Sequence, residues 1–83
     1  MIKQIWKFKV SGSIQIPMDS QILTVQIQND EPYIWVKVNP ENDVETRTFE
    51  VVGTGHSFDD TNMKYIGTFQ DGPFVWHLFE NLN

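Results

Sequence analysis

The chain has 83 residues, a net charge of −5 at pH 7 and no cysteine. That length suits one domain, residues 1–83, with a small core, and the absence of cysteine excludes disulfides, thiolate metal sites and cysteine nucleophiles. Six Lys and Arg residues against eleven Asp and Glu residues cannot form a broad basic footprint, so we expect no long nucleic acid as a partner.

Alternating apolar and polar residues predict about seven short strands along the chain. The predicted strands are residues 2–10, Ser13–Ile16, Gln21–Gln28, Tyr33–Val38, Glu45–Val52, Met63–Gln70 and Phe74–Phe79. Turn signals separate them at intervals of about 8–12 residues, which is typical of an all-β fold. We therefore predict a small antiparallel sandwich or barrel without an amphipathic helix, since the best helical candidate, residues 59–65, is too short.

The same alternation predicts which side chains face the core. The inward residues are Ile2, Trp6, Phe8, Val10, Ile14, Ile16, Leu23, Val25, Ile27, Ile34, Val36, Val38, Phe49 and Val51. Lysines at positions 3, 7 and 9 take the outer side of the first strand, where they can also protect a sheet edge.

The last third of the chain, Tyr65–Glu80, has the pattern of a hairpin with Asp71-Gly72 as its two-residue turn. Its second arm is apolar on both faces. Phe74, Trp76 and Leu78 share one face, and Val75, His77 and Phe79 share the other. Such a strand is covered on both sides, by the core, by another subunit or by a ligand.

Five segments of the chain together resemble a family of short, functionally uncharacterised proteins of phages and bacteria. They are residues 5–8, 22–26, 53–56, 65–68 and 74–80, of which Gly-Thr-Gly-His at 53–56 and Val-Trp-His at 75–77 are the most specific. The resemblance implies a compact stand-alone protein associated with phages. By analogy of class, such proteins frequently bind host components, including immune machinery and its nucleotide signals.

The segment Gly53-Thr54-Gly55-His56 directly follows a predicted strand. Two glycines allow a backbone to approach a ligand closely and to turn N–H groups toward an anion, and the Thr and His side chains add donors. The segment lacks the lysine of a P-loop and the third glycine of a dinucleotide fingerprint. It is therefore either a small-anion site or a tight turn that His56 caps.

The two histidines, His56 and His77, admit several interpretations. His77 on an apolar face is either a hydrogen-bonded core residue or a ligand contact. A metal site with Asp59 and Asp60 matches no standard ligand spacing, so no metal and no cofactor are predicted. A paired-His phosphodiesterase usually carries a hydroxyl residue two positions after each His, and both positions here hold Phe. We therefore predict that the protein is not an enzyme.

Aromatic and cationic residues complete the candidate site. Tyr33, Trp35 and Tyr65 form either a stacking platform for a base or a surface that the sandwich covers. Arg47 and Lys64 are candidates to meet a negative charge, although Arg47 could equally form an ordinary surface ion pair.

These observations favour a non-catalytic binding protein that captures a small anionic ligand, such as a nucleotide immune signal, and acts as an anti-defence decoy. The alternative is an acidic protein that blocks a host protein through electrostatic attraction. A core this small and rich in aromatic residues also suggests a homo-oligomer. No apolar run or signal peptide indicates a membrane, so the cytoplasm is the expected location.

Overall fold

The computed structural model describes residues 1–83 and contains seven β-strands and no helix, so no helix is present that could cross a membrane. The strands are β1 (Gln4–Lys9), β2 (Ser13–Pro17), β3 (Gln21–Gln28), β4 (Glu31–Val38), β5 (Val44–Gly53), β6 (Met63–Asp71) and β7 (Phe74–Asn81). One sheet has the order β1-β4-β3 and the other has the order β2-β5-β7-β6. All neighbouring strands are antiparallel. The predicted all-β fold is confirmed as two sheets that do not close into a barrel.

The hydrophobic core lies between the two sheets, and the thinnest dimension of the molecule is 17 Å. Stacked sheets lie about 10 Å apart, so this thickness corresponds to two layers. Ile34, Val36 and Val38 of the central strand β4 are fully buried, as their alternation predicted. The buried apolar residues are Ile16, Val25, Ile34, Val36, Val38, Phe49, Phe69 and Leu78.

A bulge in β3 changes one predicted face. The register against β4 shifts between Ile22 and Thr24, so an extra residue is inserted there. Ile22 packs against the core, whereas Leu23 is 42% exposed. The prediction that Leu23 faces the core is wrong, because strict alternation does not reveal an inserted residue. Val25 regains the predicted side and is buried.

Two further residues predicted to face the core are exposed. Ile2 lies before the first residue of β1 and has no strand neighbour to cover it. Val51 is 45% exposed, although it lies on the same side of β5 as the buried Phe49. Strand β2 pairs only with Val44–Thr48, and it therefore leaves the second half of β5 at the edge of the sheet.

The predicted C-terminal hairpin is present, but its turn lies one residue later than predicted. Asp71 is the last residue of β6 and pairs with Phe74, so the two turn residues are Gly72 and Pro73. Gly72 has a φ of 58°. A glycine with positive φ at the first central position is the pattern of a type II′ turn, and proline supplies the negative φ that follows.

Candidate ligand-binding site

The Gly53–His56 segment forms a tight turn at the end of β5. The His56 N–H donates to the Gly53 carbonyl at 3.0 Å, and the His56 ring packs against that glycine. A Cβ on Gly53 would lie 2.8 Å from His56 Nδ1 and 3.1 Å from the Trp76 ring. Gly55 has a φ of 86°, a conformation that side chains with a Cβ rarely adopt. Both glycines are therefore required by the shape of the turn.

A chain of hydrogen bonds links this turn to the C-terminal hairpin through His77. The Thr54 hydroxyl lies 2.8 Å from His77 Nε2, and the Thr68 hydroxyl lies 2.9 Å from His77 Nδ1. The Tyr65 hydroxyl lies 2.6 Å from Thr68 Oγ1. At the other end, Thr54 Oγ1 lies 3.1 Å from the Val75 carbonyl. Strands β6 and β7 and the turn thus share one network.

The Val75 carbonyl fixes the direction of the hydrogen bonds in this network. A carbonyl oxygen only accepts, so the Thr54 hydroxyl donates to it and must accept from His77 Nε2. Neutral His77 then carries its hydrogen on Nε2, and Nδ1 accepts from Thr68. Thr68 has given its only hydrogen, so it accepts from the Tyr65 hydroxyl. With neutral His77, each member of the network has a partner, and Tyr65 is the outermost donor.

Aromatic rings form the wall beside this network. Phe79 lies 5.0 Å from Phe58 and 5.5 Å from Tyr65, measured between ring centroids. The turn, the network and these rings enclose a cleft of about 250 Å³ on the outer face of the four-stranded sheet, which we call the His77 cleft. Its lining residues are Val52, Gly53, Thr54, Gly55, His56, Phe58, Tyr65, His77 and Phe79.

Six of the ten predicted site residues therefore come together in one place. The His77 cleft brings together Gly53, Thr54, Gly55, His56, Tyr65 and His77. Two of the backbone N–H groups expected to meet an anion are used within the protein, because Thr54 donates to the Val75 carbonyl and His56 to the Gly53 carbonyl. The polar chemistry of the cleft consequently rests on side chains.

Arg47 and Lys64 lie in a neighbouring cleft of about 200 Å³, which Tyr65 also lines. Arg47 is held by Glu80, whose carboxylate oxygens accept from its Nε at 2.6 Å and its Nη2 at 2.7 Å. These hydrogen bonds raise the pKa of Arg47 above its usual value. Arg47 Nη1 also donates to the Ser20 carbonyl at 2.8 Å. Lys64 is exposed, but it pairs with the inward-facing Glu80 whereas Tyr65 pairs with Phe79, so the Lys64 side chain faces away from the His77 cleft.

The remaining two predicted residues, Tyr33 and Trp35, are on the other side of the molecule. They alternate with the buried Ile34 and Val36 on β4, so they occupy the outer face of the three-stranded sheet. A single site that combines Trp35 with the Gly53–His56 turn does not form.

Four residues of the site were not predicted: Val52, Phe58 and Phe79, which line the cleft, and Thr68, which hydrogen-bonds to His77. Thr68 lies directly opposite His77 in the β6–β7 register. A turn placed at Gly72-Pro73 would have identified it from the sequence, whereas a turn at Asp71-Gly72 pairs His77 with Ile66. Phe58 lies in an irregular segment, for which strand alternation gives no signal.

Asp59 and Asp60, considered above as metal ligands, lie on the irregular segment after the turn. The Asp59 carboxylate accepts from the Thr61 N–H at 2.9 Å. Hydrogen bonding by Thr61 lowers the pKa of Asp59, as expected for a carboxylate that closes a turn. No group of three or more His, Cys, Asp or Glu side chains converges as a metal site would require.

Comparison with known proteins identifies the family but no activity. No curated protein and no solved structure matches the chain. One family model, described as a domain of unknown function (DUF7352), matches residues 1–83. The phage association remains a prediction. Because the match covers the full sequence, the chain belongs to the DUF7352 family.

Proposed function

We propose that this protein is a non-catalytic binding protein whose His77 cleft captures a small ligand that combines a flat ring with an anionic group, as a nucleotide does. The observation that carries the proposal is the directed chain from the Val75 carbonyl through His77 to the Tyr65 hydroxyl. Because the Tyr65 hydrogen is donated to Thr68, the chain holds the Tyr65 oxygen in position as a hydrogen-bond acceptor beside an aromatic wall, where it suits an N–H group of a base. In an infected bacterium, such a protein would act as a decoy for a host nucleotide signal.

The size and chemistry of the cleft restrict the ligand. Sites for drug-sized molecules measure about 300–1,000 Å³, so a cleft of about 250 Å³ suits a single base or a mononucleotide. The rings of Phe58, Tyr65 and Phe79 offer stacking surfaces for a flat ring. No Lys or Arg lines the cleft, and Lys64 faces the other side of the sheet, so the anionic group would be met by the His56 ring, whose nitrogens make no hydrogen bond within the protein.

The same network supports binding rather than catalysis. Both ring nitrogens of His77 are engaged by threonine hydroxyls, so neither is free to take a proton from a substrate. The hydroxyls of Thr54 and Thr68 are also paired, and neither has a free base beside it to activate it as a nucleophile.

The decisive experiment is native mass spectrometry of the protein purified gently from its expression host. We expect a retained small-molecule mass that heating releases. A thermal-shift screen of nucleoside monophosphates, diphosphates and cyclic nucleotides then identifies the ligand, because a molecule that binds only the folded state raises the Tm with concentration.

Three variants, one of them a control, connect the ligand to the cleft. Thr68→Val keeps the side-chain shape but breaks the link between Tyr65 and His77, so affinity should fall by about two- to tenfold. Thr46→Val removes an exposed hydroxyl outside the cleft and should leave affinity unchanged. Gly55→Val should abolish binding. If no molecule binds and Gly55→Val changes only stability, the proposal fails.

The distribution of acidic residues supports a second candidate function, inhibition of a basic host protein. Six of the eleven Asp and Glu residues lie in the connections between strands, where they are free to approach a partner. We expect the immobilised protein to retain one specific host protein at low salt and to release it at high salt. Retention of no protein at low salt would remove this candidate.

A further inference from the structure

Although the net charge of the chain is negative, one surface of the protein is basic. The strands of the three-stranded sheet contain three lysines, Lys7, Lys9 and Lys37, and one acidic residue, Glu31. The strands of the four-stranded sheet contain two cations and four acidic residues. All three lysines are exposed. The outer face of the three-stranded sheet is therefore positive in a protein that is acidic elsewhere.

Two aromatic side chains occupy the centre of this face. Tyr33 and Trp35 are two residues apart on β4, the middle strand of the sheet, and remain partly exposed. Their ring centroids are 6.3 Å apart with the rings edge to face. Lys7 Nζ lies 4.8 Å from the Tyr33 ring centroid, so a cation already contacts one ring.

In the strand register, Tyr33 and Trp35 have the same kinds of side chain as neighbours. The pairs are Lys7 with Trp35 and Lys9 with Tyr33 on the β1 side, and Thr24 with Trp35 and Gln26 with Tyr33 on the β3 side. Each ring thus has a cation on one side and an uncharged hydrogen-bonding side chain on the other. Directly opposed residues lie about 5 Å apart, so all three can contact one bound group.

We propose that this lysine–aromatic face, Lys7, Lys9, Tyr33, Trp35 and Gln26 with their neighbours, binds a short single-stranded nucleic acid. Bases stack on the two rings, phosphates meet the lysines of β1, and the polar side chains of β3 contact base edges. The two rings lie edge to face, so they offer stacking surfaces in different directions, which suits bases that are splayed apart rather than stacked on each other.

The size and charge of the face favour this occupant. Lys9 already pairs with Glu31 at 2.9 Å, so the three lysines can neutralise only a few phosphates, and the acidic remainder of the protein repels a longer polyanion; the footprint is therefore a few nucleotides. Stacking on Tyr33 and Trp35 needs free base faces, which a duplex keeps within its own stack. The face points away from the His77 cleft across the core, so the two proposals are tested independently.

Fluorescence anisotropy with a labelled ten-nucleotide oligo(dT) or oligo(U), in about 20 mM salt, tests the proposal. We expect single strands to bind, with affinity falling as salt rises. Trp35→Ala should weaken binding by about five- to 150-fold, since stacking on one ring accounts for that much. The double variant Lys7→Gln with Lys9→Gln, whose side chains are exposed, should weaken binding without affecting the fold and reduce the salt dependence.

The control is Gln15→Glu, which lowers the net charge by one on the outer face of the four-stranded sheet and should leave affinity nearly unchanged. Circular dichroism checks the fold of every variant. The proposal is overturned if no oligonucleotide binds, or if the folded lysine variant binds as well as the parent. It is also overturned if inorganic polyphosphate, which has no rings, or an acidic peptide binds as tightly as the single strands.

Discussion

The ion pair between Arg47 and Glu80 allows a quantitative prediction of how a substitution changes the free energy of unfolding. The side chains are only 18% and 6% exposed, and two N–H groups of Arg47 meet the two carboxylate oxygens of Glu80. Arg47→Met would leave the Glu80 carboxylate buried without its partner. Removing one member of a buried pair typically destabilises a protein by about 3–5 kcal/mol. Because Arg47 keeps some solvent contact, we expect the lower end, about 3 kcal/mol.

That loss is large for a domain of this size. At about 0.05–0.15 kcal/mol per residue, the whole chain is stabilised by roughly 4–12 kcal/mol. In a domain of 60–100 residues, each kcal/mol shifts the Tm by about 4–8 °C, so Arg47→Met should lower the Tm by more than about 10 °C. Urea unfolding followed by tryptophan fluorescence gives the free energy directly, with a second value from thermal unfolding.

Two further variants separate the ion pair from other causes. In the double variant Arg47→Met with Glu80→Met no charge remains buried, so most of the lost stability should return. Lys9→Met breaks the exposed Lys9–Glu31 pair and should change stability by less than about 1 kcal/mol. If Arg47→Met destabilises the protein no more than Lys9→Met does, water screens the Arg47–Glu80 pair. The inference that Glu80 makes Arg47 unavailable to a ligand is then refuted.

Three other predictions follow from the packing. Gly67→Ala should lower the free energy of unfolding by about 1–3 kcal/mol, because its Cβ would lie 2.8 Å from Val25 Cγ1. The control Gly12→Ala places no atom within 4 Å of a neighbour and should have little effect. Equal effects of the two substitutions in urea unfolding would contradict this reasoning. Gly55→Val should lower stability by about 1–2 kcal/mol, because its φ is 86°, and an unchanged urea midpoint would argue against the turn described. We expect self-association through exposed apolar residues such as Phe74, which is 61% exposed. Native mass spectrometry should show multiples of 9.7 kDa, and Phe74→Ser should reduce their abundance. A monomer alone at micromolar concentration would refute this expectation.

The sequence alone determined the strands and most of the core. Side chains alternate along a strand with a period of two, so the spacing of Ile34, Val36 and Val38 was enough to identify the buried face of β4. Turn residues located the connections because Asn, Asp, Gly and Pro have distinct backbone preferences. These are local properties of the chain, and the strand predictions agree with the structure to within a few residues.

The assembly of the sites depended on the tertiary structure. Moving the last turn by one residue places Thr68, rather than Ile66, opposite His77, and the hydrogen-bonded network exists only in that register. The pairing of β1 with β4 likewise places Lys7 and Lys9 beside Trp35 and Tyr33. Strand order and register are long-range pairings that residue spacing does not encode, and the net charge of the sequence conveys nothing about which face carries the cations. The residue types were therefore evident from the sequence, while their grouping into two separate surfaces was decided by the fold.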